Sequence, residues 1–287
     1  MSYSNNRNKR VDSARQTLDI IEQGYYIVDN EKIDIYRFVE ESVKKTALYS
    51  PEYFEKGMNN AENEITKRDF TTDITVKNCT AMEAAEELLS IGGKTGCLNF
   101  ASAKNPGGGF LGGAQAQEES LARASALYPT QMKYFKELYE YNRAQNTYLY
   151  SDYMIYSPDV LFFKDDRDEL LAKPYVLDIL TSPAVNIGAM EQNNRPDEKA
   201  KAKQVMMSRI DKLLSVFVLA GVDNLILGAW GCGVFRNQPE DVARYFAHYL
   251  LNDGKYAKCF KNIIFAVFDS SKKQENINAF QQGFPLS

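Results

Sequence analysis

Apolar residues follow helical spacing near the start of the chain, and from residue 72 they form short runs between amphipathic stretches. The first 71 residues predict a helix, a hairpin and a second helix, at residues 11–23, 25–35 and 34–49. Gly24 is a typical stop for the first helix, and Pro51 for the second. We therefore predict that residues 1–71 form a mostly helical accessory layer packed on the rest of the chain.

From residue 72 onward, strand patterns alternate with helix patterns. The predicted strands lie at residues 73–77, 96–100, 153–156, 160–163, 175–180, 224–228 and 262–268. The predicted helices lie at residues 80–90, 120–127, 130–141, 197–219, 239–251 and from 271 onward. Thr80 and Glu83 form a capping box, and Pro129 separates two of the helices. Such alternation is typical of an α/β fold with a mixed, largely parallel sheet and helices on both faces.

A glycine-rich stretch follows the predicted strand at residues 96–100. Three consecutive glycines stand in it: Gly107, Gly108 and Gly109. Glycine lets a ligand lie against bare backbone N–H groups, as phosphate-binding loops require. Three polar residues then open the next predicted helix: Gln117, Glu118 and Glu119. A phosphate-binding loop followed by two carboxylates indicates cleavage of a molecule that carries phosphate.

A second glycine-rich stretch, GAWGCGVFRN at residues 228–237, follows the strand at residues 224–228. Its glycine spacing departs from the GxGxxG of dinucleotide-binding turns. Two interpretations stay open. It is either a tight turn that simply needs glycine, or a second phosphate loop that faces the first. Loops after parallel strands meet at one rim of a sheet, so we expect both stretches to lie together.

Composition and charge exclude several classes of function. A formal net charge of −4 argues against nucleic-acid binding as the main activity, because that needs a basic face. No window approaches twenty apolar residues and the first ten residues lack an apolar segment, so we expect neither a membrane span nor a secretory signal. The four cysteines form no CxxC pair, which is typical of buried thiols in a reducing compartment, here the cytoplasm.

The single histidine, His248, lies in the predicted helix at residues 239–251, away from both glycine-rich stretches. A Ser/His/Asp triad or a histidine-rich zinc site would have to use it. We interpret His248 as structural and expect neither a metal nor a cofactor. Carboxylate chemistry is then the natural choice.

The segment NPGGGFLGGAQAQEESLARASALYP, residues 105–129, resembles the signature of microbial poly(ADP-ribose) glycohydrolases. In that signature, GGG is followed after a short spacer by QEE; here the spacer is residues 110–116. NFAS at residues 99–102 and the stretch at residues 228–237 extend the resemblance. It implies a macrodomain-like fold over residues 72–287 that binds ADP-ribose and hydrolyses the ribose–ribose O-glycosidic bond.

The resemblance also implies roles for individual residues. Glu119 would protonate the leaving ribose hydroxyl and then activate water, while Glu118 would position the ribose. Phe235 would pack against the bound ribose. The full set of expected ligand contacts is Ser102, Asn105, Gly107, Gly108, Gly109, Gln117, Gly231, Cys232, Gly233, Val234 and Phe235.

Three alternatives remain at this point. The protein is a macrodomain that binds ADP-ribose without cleaving it, a hydrolase of mono-ADP-ribosyl groups or of a free ADP-ribose derivative, or a scaffold. The expected partners are ADP-ribose and poly(ADP-ribose) on modified proteins, and we expect a monomer.

Overall fold

The computed structural model describes the backbone of residues 3–285 and the side chains of residues 6–56 and 60–285. The strands are β1 (Tyr25–Val28), β2 (Glu31–Asp34), β3 (Ala47–Tyr49), β4 (Asp73–Lys77), β5 (Thr95–Phe100), β6 (Met154–Lys164), β7 (Leu170–Ser182), β8 (Asn224–Leu227) and β9 (Asn262–Ala266). The helices are α1 (Tyr3–Gln23), α2 (Tyr36–Lys45), α3 (Pro51–Thr66), α4 (Ala81–Ile91), α5 (Gln117–Ala124), α6 (Leu127–Met132), α7 (Tyr141–Ala144), α8 (Ile187–Gln192), α9 (Pro196–Leu219), α10 (Pro239–Leu250) and α11 (Glu275–Gly283). A 3₁₀ turn (Phe110–Gly112) and a π-helical segment (Phe135–Glu140) complete the set. Among these described helices, none is long and apolar enough to cross a membrane.

Seven strands form the main sheet, in the order β3-β6-β7-β5-β8-β9-β4. The pairs β7-β5, β5-β8, β8-β9 and β9-β4 are parallel, whereas β3-β6 and β6-β7 are antiparallel. The sheet is thus mixed and largely parallel, and helices cover both of its faces. The predicted α/β fold is confirmed.

The central strands are apolar at nearly every position because both faces of the sheet are buried. On β5, Leu98 packs in the cluster formed with α9, α10 and α11, while the preceding Cys97 packs in the cluster formed with α4 and α5. Leu180 and Ile179 of β7 repeat this alternation. The predicted capping box begins α4: Thr80 Oγ1 accepts from the backbone N–H of Glu83 at 3.1 Å, and the Glu83 carboxylate accepts from the N–H of Thr80.

The N-terminal layer consists of α1, the β1-β2 hairpin and α2. The hairpin turns at Asp29 and Asn30, whose φ angles of 51° and 64° match the predicted two-residue turn. Ile20, Ile35 and Phe163 share a buried cluster that joins this layer to β6. Residues 47–49 also add a strand to the main sheet. The division of the chain at residue 71 stays a prediction.

The predicted helix at residues 34–49 is wrong in its last four residues. Helix α2 ends at Lys45, and the next residues form the edge strand β3, which pairs with β6. Pro51 begins α3 instead of only ending a helix, because proline fits the first helical position, where its missing N–H is not needed. Ser50 caps this helix by accepting from the N–H of Tyr53 at 3.2 Å.

The predicted break at Pro129 is also wrong. Pro129 lies in the first turn of α6, where its missing N–H costs no hydrogen bond, and the break falls at the extended Ser125. The strands predicted at residues 153–156 and 160–163 are one strand, β6, rather than a pair folded at Pro158. The register shifts between Ser157 and Val160, so Pro158 sits at an irregularity where no ladder donor is needed.

The last helix begins at Glu275, four residues later than predicted. The carboxylate of Asp269 accepts from the backbone N–H groups of Ser271 and Asn276, both at 3.0 Å. These bonds hold the intervening residues in a bend. The helix therefore starts only after them.

Candidate active site

The first loop (residues 101–116) follows β5, and the second loop (residues 228–237) follows β8. Because β5 and β8 are parallel neighbours, both loops lie at the same rim of the sheet, as predicted. The carbonyl of Ser182, at the end of β7, joins them. It accepts from the N–H of Ala101 in the first loop at 3.4 Å and from Nε1 of Trp230 in the second at 3.0 Å.

Glu118 is buried at the start of α5, with 3% of its surface exposed. Its Oε1 accepts from Nδ2 of Asn99 at 3.2 Å and from Nε2 of Gln131 at 3.0 Å. Its Oε2 accepts from the backbone N–H of Ser102 at 2.6 Å. In the described part of the chain, no lysine or arginine pairs with this carboxylate, so every one of its donors is neutral.

Burial raises the pKa of Glu118 to about 8. The bonds from Ser102, Asn99 and Gln131 lower this pKa, and the nearby charge of Glu119 raises it. Desolvation outweighs the three hydrogen bonds. Glu118 is therefore largely protonated below about pH 8.

Glu119 is only partly buried, and its carboxylate lies against the first loop. Its Oε1 accepts from the N–H of Gly109 at 2.9 Å, and no donor of the described residues contacts Oε2. Gly108 lies directly beneath the two acids with a φ of +60°. A Cβ on Gly108 would lie 2.9 Å from the carboxyl carbon of Glu119 and 3.1 Å from Oε2 of Glu118. Only glycine allows this close approach.

Three of the predicted ligand contacts bond within the protein. Gln117 uses both ends of its amide on β5: it accepts from the N–H of Phe100 at 2.8 Å and donates to a carbonyl of the same strand at 2.7 Å. Ser102 Oγ accepts from the N–H of Asn105 at 3.1 Å, and Asn105 Oδ1 accepts from Arg143 at 3.0 Å. These bonds shape the first loop. Contact of these residues with a ligand stays a prediction.

The three consecutive glycines of the first loop differ in whether their N–H groups are free. The N–H of Gly108 donates to the carbonyl of Asn105 at 3.0 Å, and that of Gly109 donates to Glu119. The N–H of Gly107 has no acceptor among the described residues. Two of the three predicted phosphate donors are thus engaged by the protein itself.

The second loop has more free donors. Within the described chain, the N–H groups of Gly231, Gly233, Val234 and Phe235 have no acceptor, while that of Cys232 donates to the carbonyl of Ala229 at 3.1 Å. A run of free backbone N–H groups is a concave site for an anion. The second loop is therefore the better placed of the two to bind a diphosphate.

The side chains of the second loop have distinct surroundings. Val234 is 85% exposed at the tip. Phe235 is half-buried, with its ring centroid 5.9 Å from that of Tyr150, and its carbonyl accepts from the N–H of Gly188 at 3.0 Å. Burial raises the pKa of the Cys232 thiol well above its ordinary value, which makes it a poor nucleophile.

Four residues at this rim were not among the predicted site residues: Asn99, Gln131, Asn237 and Phe268. Asn99 and Gln131 hold Glu118, and Asn237 ties the second loop together by donating to the carbonyl of Gly231 at 3.0 Å. Phe268 follows β9 and is 66% exposed at the same rim. Asn99 and Asn237 both lie in segments that extend the family resemblance, NFAS and GAWGCGVFRN, whereas Gln131 and Phe268 carried no signal in the sequence.

Comparison with known proteins identifies the family of this chain. A family model for the catalytic domain of microbial-type PARG matches residues 14–165. The crystal structure of poly(ADP-ribose) glycohydrolase from Thermomonospora curvata is 38% identical, with a TM-score of 0.87 over 96% of this chain and 100% of that chain. Its complex with the inhibitor ADP-HPD gives a TM-score of 0.86 at the same identity and coverage. The Deinococcus radiodurans enzyme in complex with ADP-ribose is 37% identical, with a TM-score of 0.79 over 85% of this chain and 96% of that chain. No curated protein matches the chain significantly. The chain belongs to the family of microbial-type poly(ADP-ribose) glycohydrolases.

Proposed function

We propose that this protein hydrolyses the ribose–ribose O-glycosidic bond of poly(ADP-ribose) and releases ADP-ribose. The observation that carries the proposal is the pair of acids on α5. One carboxylate is buried and the next lies partly exposed against the glycines of the first loop. The solved relatives bind ADP-ribose in one case and the inhibitor ADP-HPD in another, which supports a ligand of the same kind here.

The partial solvent exposure of the Glu119 side chain supports its role as the general acid and base. A proton donor must come within hydrogen-bonding distance of the leaving oxygen, and Oε2 of Glu119 is the carboxylate oxygen that no donor of the described residues contacts. Glu118 has the raised pKa, but it is buried and both of its oxygens already accept hydrogen bonds. Protein donors use three of the roughly four lone-pair positions of its carboxyl group, and the proton that its raised pKa retains uses the remaining one, so this O–H can donate to a ribose hydroxyl. We assign Glu118 to positioning the ribose.

The reaction then follows from these positions. Glu119 gives its proton to the leaving ribose oxygen as the bond to the anomeric carbon breaks, through an oxocarbenium-like state. Water adds its oxygen to the anomeric carbon, and Glu119 takes the proton that this water loses. The carboxyl group returns to its starting form.

Binding of the ADP-ribosyl unit is assigned to both loops. The free N–H groups of the second loop bind the diphosphate, and Gly107 adds a donor from the first loop. Phe235 packs against the ribose. The exposed ring of Phe268 lies at the same rim and offers a stacking surface for adenine, since aromatic side chains stack on bases.

The test is the variant Glu119→Gln, assayed for ADP-ribose release from an automodified polymer and for ADP-ribose affinity by calorimetry. We expect turnover to be lost, because the glutamine amide cannot donate or take up the catalytic proton. The ADP-ribose affinity should change only a few-fold, because glutamine has nearly the same volume as glutamate. Glu22→Gln, an exposed acid at the end of α1, is the control and should behave as wild type. Loss of turnover and affinity together would indicate a structural role for Glu119.

The alternatives are separated by substrate. A panel of polymer, mono-ADP-ribosylated protein, NAD and ADP-ribose derivatives tests the related hydrolase activities. If the protein binds ADP-ribose but turns over none of these substrates, it is a non-catalytic macrodomain. We propose that the protein acts as a monomer in the cytoplasm on modified proteins. The four free cysteines agree with a reducing compartment.

A further inference from the structure

Helix α1 covers the far end of the first loop. Nε of Arg7 donates to the carbonyl of Gly112 at 2.9 Å, and Nε of Arg10 donates to the carbonyl of Gly113 at 2.8 Å. Gly113 has a φ of +72°, and a Cβ there would lie 2.6 Å from the carbonyl oxygen of Arg7 and 3.0 Å from Val11. The loop and the helix backbone are thus in direct contact at this glycine.

The same helix also contacts α5, which carries both acids. Ala14 of α1 shares a buried apolar cluster with Phe110 of the loop and Ala122 of α5. One turn further along, Thr17 Oγ1 donates to the carbonyl of Arg123. Helix α1 therefore holds the loop and α5 in a fixed relation to each other.

A short series of bonds joins the arginine contacts to Glu119. The carbonyl of Gly109 accepts from the N–H groups of Gly112 at 3.0 Å and of Ala114 at 3.1 Å, which closes the turn at residues 109–114. The N–H of Gly109 in turn holds Oε1 of Glu119. A shift of Gly112 or Gly113 would therefore move the donor that fixes the catalytic carboxylate.

The guanidinium groups of Arg7 and Arg10 bond only to the first loop among the described residues. No carboxylate of the described residues pairs with either guanidinium group, so neither side chain has a competing partner in that part of the chain. Both also precede residue 14, where the match to the family model begins.

We propose that Arg7 and Arg10 are positioning residues for catalysis: through Gly112 and Gly113 they set the place of the Gly109 N–H and hence of the Glu119 carboxylate. The inference rests on the proposed function for its effect on turnover. Its effect on the loop does not depend on that function.

The test compares wild type with the double variant Arg7→Met/Arg10→Met, which keeps the aliphatic stems and removes both donors. Arg15→Met is the matched control, because Arg15 lies on the same helix and has only an exposed ion pair with Asp12 at 3.7 Å. Two quantities are measured: hydrogen exchange in peptides covering residues 105–116, and kcat and KM for ADP-ribose release from poly(ADP-ribose).

We expect faster exchange in the loop and a kcat lower by on the order of tenfold in the double variant, since small displacements of a catalytic group reduce rates strongly. Arg15→Met should match wild type in both measurements. Unchanged exchange, or faster exchange with unchanged kcat, would overturn the inference. So would a higher KM at constant kcat, which would mean that the arginines only attract the charged polymer. Absence of turnover in wild type would instead count against the proposed function.

Discussion

Replacing Glu118 by glutamine should make the stability of the protein less dependent on pH. The fold buries this carboxyl group among neutral donors and raises its pKa from 4.5 to about 8. The folded state therefore holds the proton more tightly than the unfolded state does. Stability contributed by the protonated group is fully present below pH 4.5 and is lost progressively as the pH rises through about 8.

The size of this effect follows from the two pKa values. Each pKa unit corresponds to about 1.4 kcal/mol, so ionising Glu118 in the folded protein costs on the order of 5 kcal/mol of unfolding free energy. This cost accumulates between pH 4.5 and about pH 8, and the part below pH 5 lies outside the measured range. We therefore expect the unfolding free energy of Glu118→Gln to rise relative to that of wild type by roughly 4 kcal/mol between pH 5 and pH 9. Glutamine cannot ionise and is free of this loss.

The surroundings of Glu118 can accept a glutamine. Oδ1 of Asn99 and Oε1 of Gln131 are buried and have no hydrogen-bond partner within the part of the chain that the structure describes. Turning either amide would direct its oxygen toward the new side-chain amide, or toward the proton of neutral Glu118. The turned amide supplies an acceptor for the new glutamine N–H, which as an unsatisfied donor in the interior would cost about 1–3 kcal/mol.

Urea unfolding at a series of pH values measures this difference directly. Glu22→Gln, which removes an exposed acid, corrects for the change in net charge and should follow the wild-type curve. If Glu118→Gln and wild type lose stability in parallel from pH 5 to pH 9, burial does not control the protonation of Glu118. The reasoning would then be refuted.

Two further substitutions test the geometry of the rim. Gly108→Ala should reduce turnover by at least on the order of a hundredfold, because the new Cβ would overlap the Glu119 carboxylate. Steady-state kinetics on the polymer measures this. Near-normal turnover would show that catalysis does not require Glu119 to lie against the loop. Phe268→Ala should weaken ADP-ribose binding by roughly 1–3 kcal/mol, the value of one base stacked on an aromatic ring, while the affinity for ribose 5-phosphate stays the same. Calorimetry with both ligands measures the difference. An equal loss of affinity for both ligands would show that Phe268 does not contact adenine.

Much of the fold was predictable because the main sheet is buried on both faces. Apolar runs such as β8 and β9 then stand out from the amphipathic helices between them. The errors cluster at prolines. Pro51 and Pro129 both lie in the first turn of a helix, and proline is equally typical after a helix ends. Local sequence does not distinguish the two cases, whereas tertiary contacts do.

The site was predictable in its order along the chain but less so in its contacts. Parallel strands bring the loops that follow them to one rim, so the meeting of the two loops follows from topology alone. The contacts from α1 to the first loop join residues about a hundred positions apart. No spacing in the sequence encodes such a pair, which is why residues 1–71 were predicted only as an accessory layer packed on the rest of the chain.

The unequal environments of the two acids follow from the helix that carries them. Consecutive residues of an α-helix point about 100° apart, so α5 directs one carboxyl group toward the core and the next toward the loop. Asn99 and Gln131 stabilise Glu118 as the inward acid, because they supply buried hydrogen-bond donors to its carboxyl group. The glycine at position 108 lets both carboxyl groups approach the same stretch of backbone. If the helix were shifted so that Glu119 took the buried place of Glu118, Ser120 would take the place of Glu119 and no carboxylate would face the loop. The register of α5, which Gln117 fixes through its two bonds to β5, therefore determines which acid can act on a substrate.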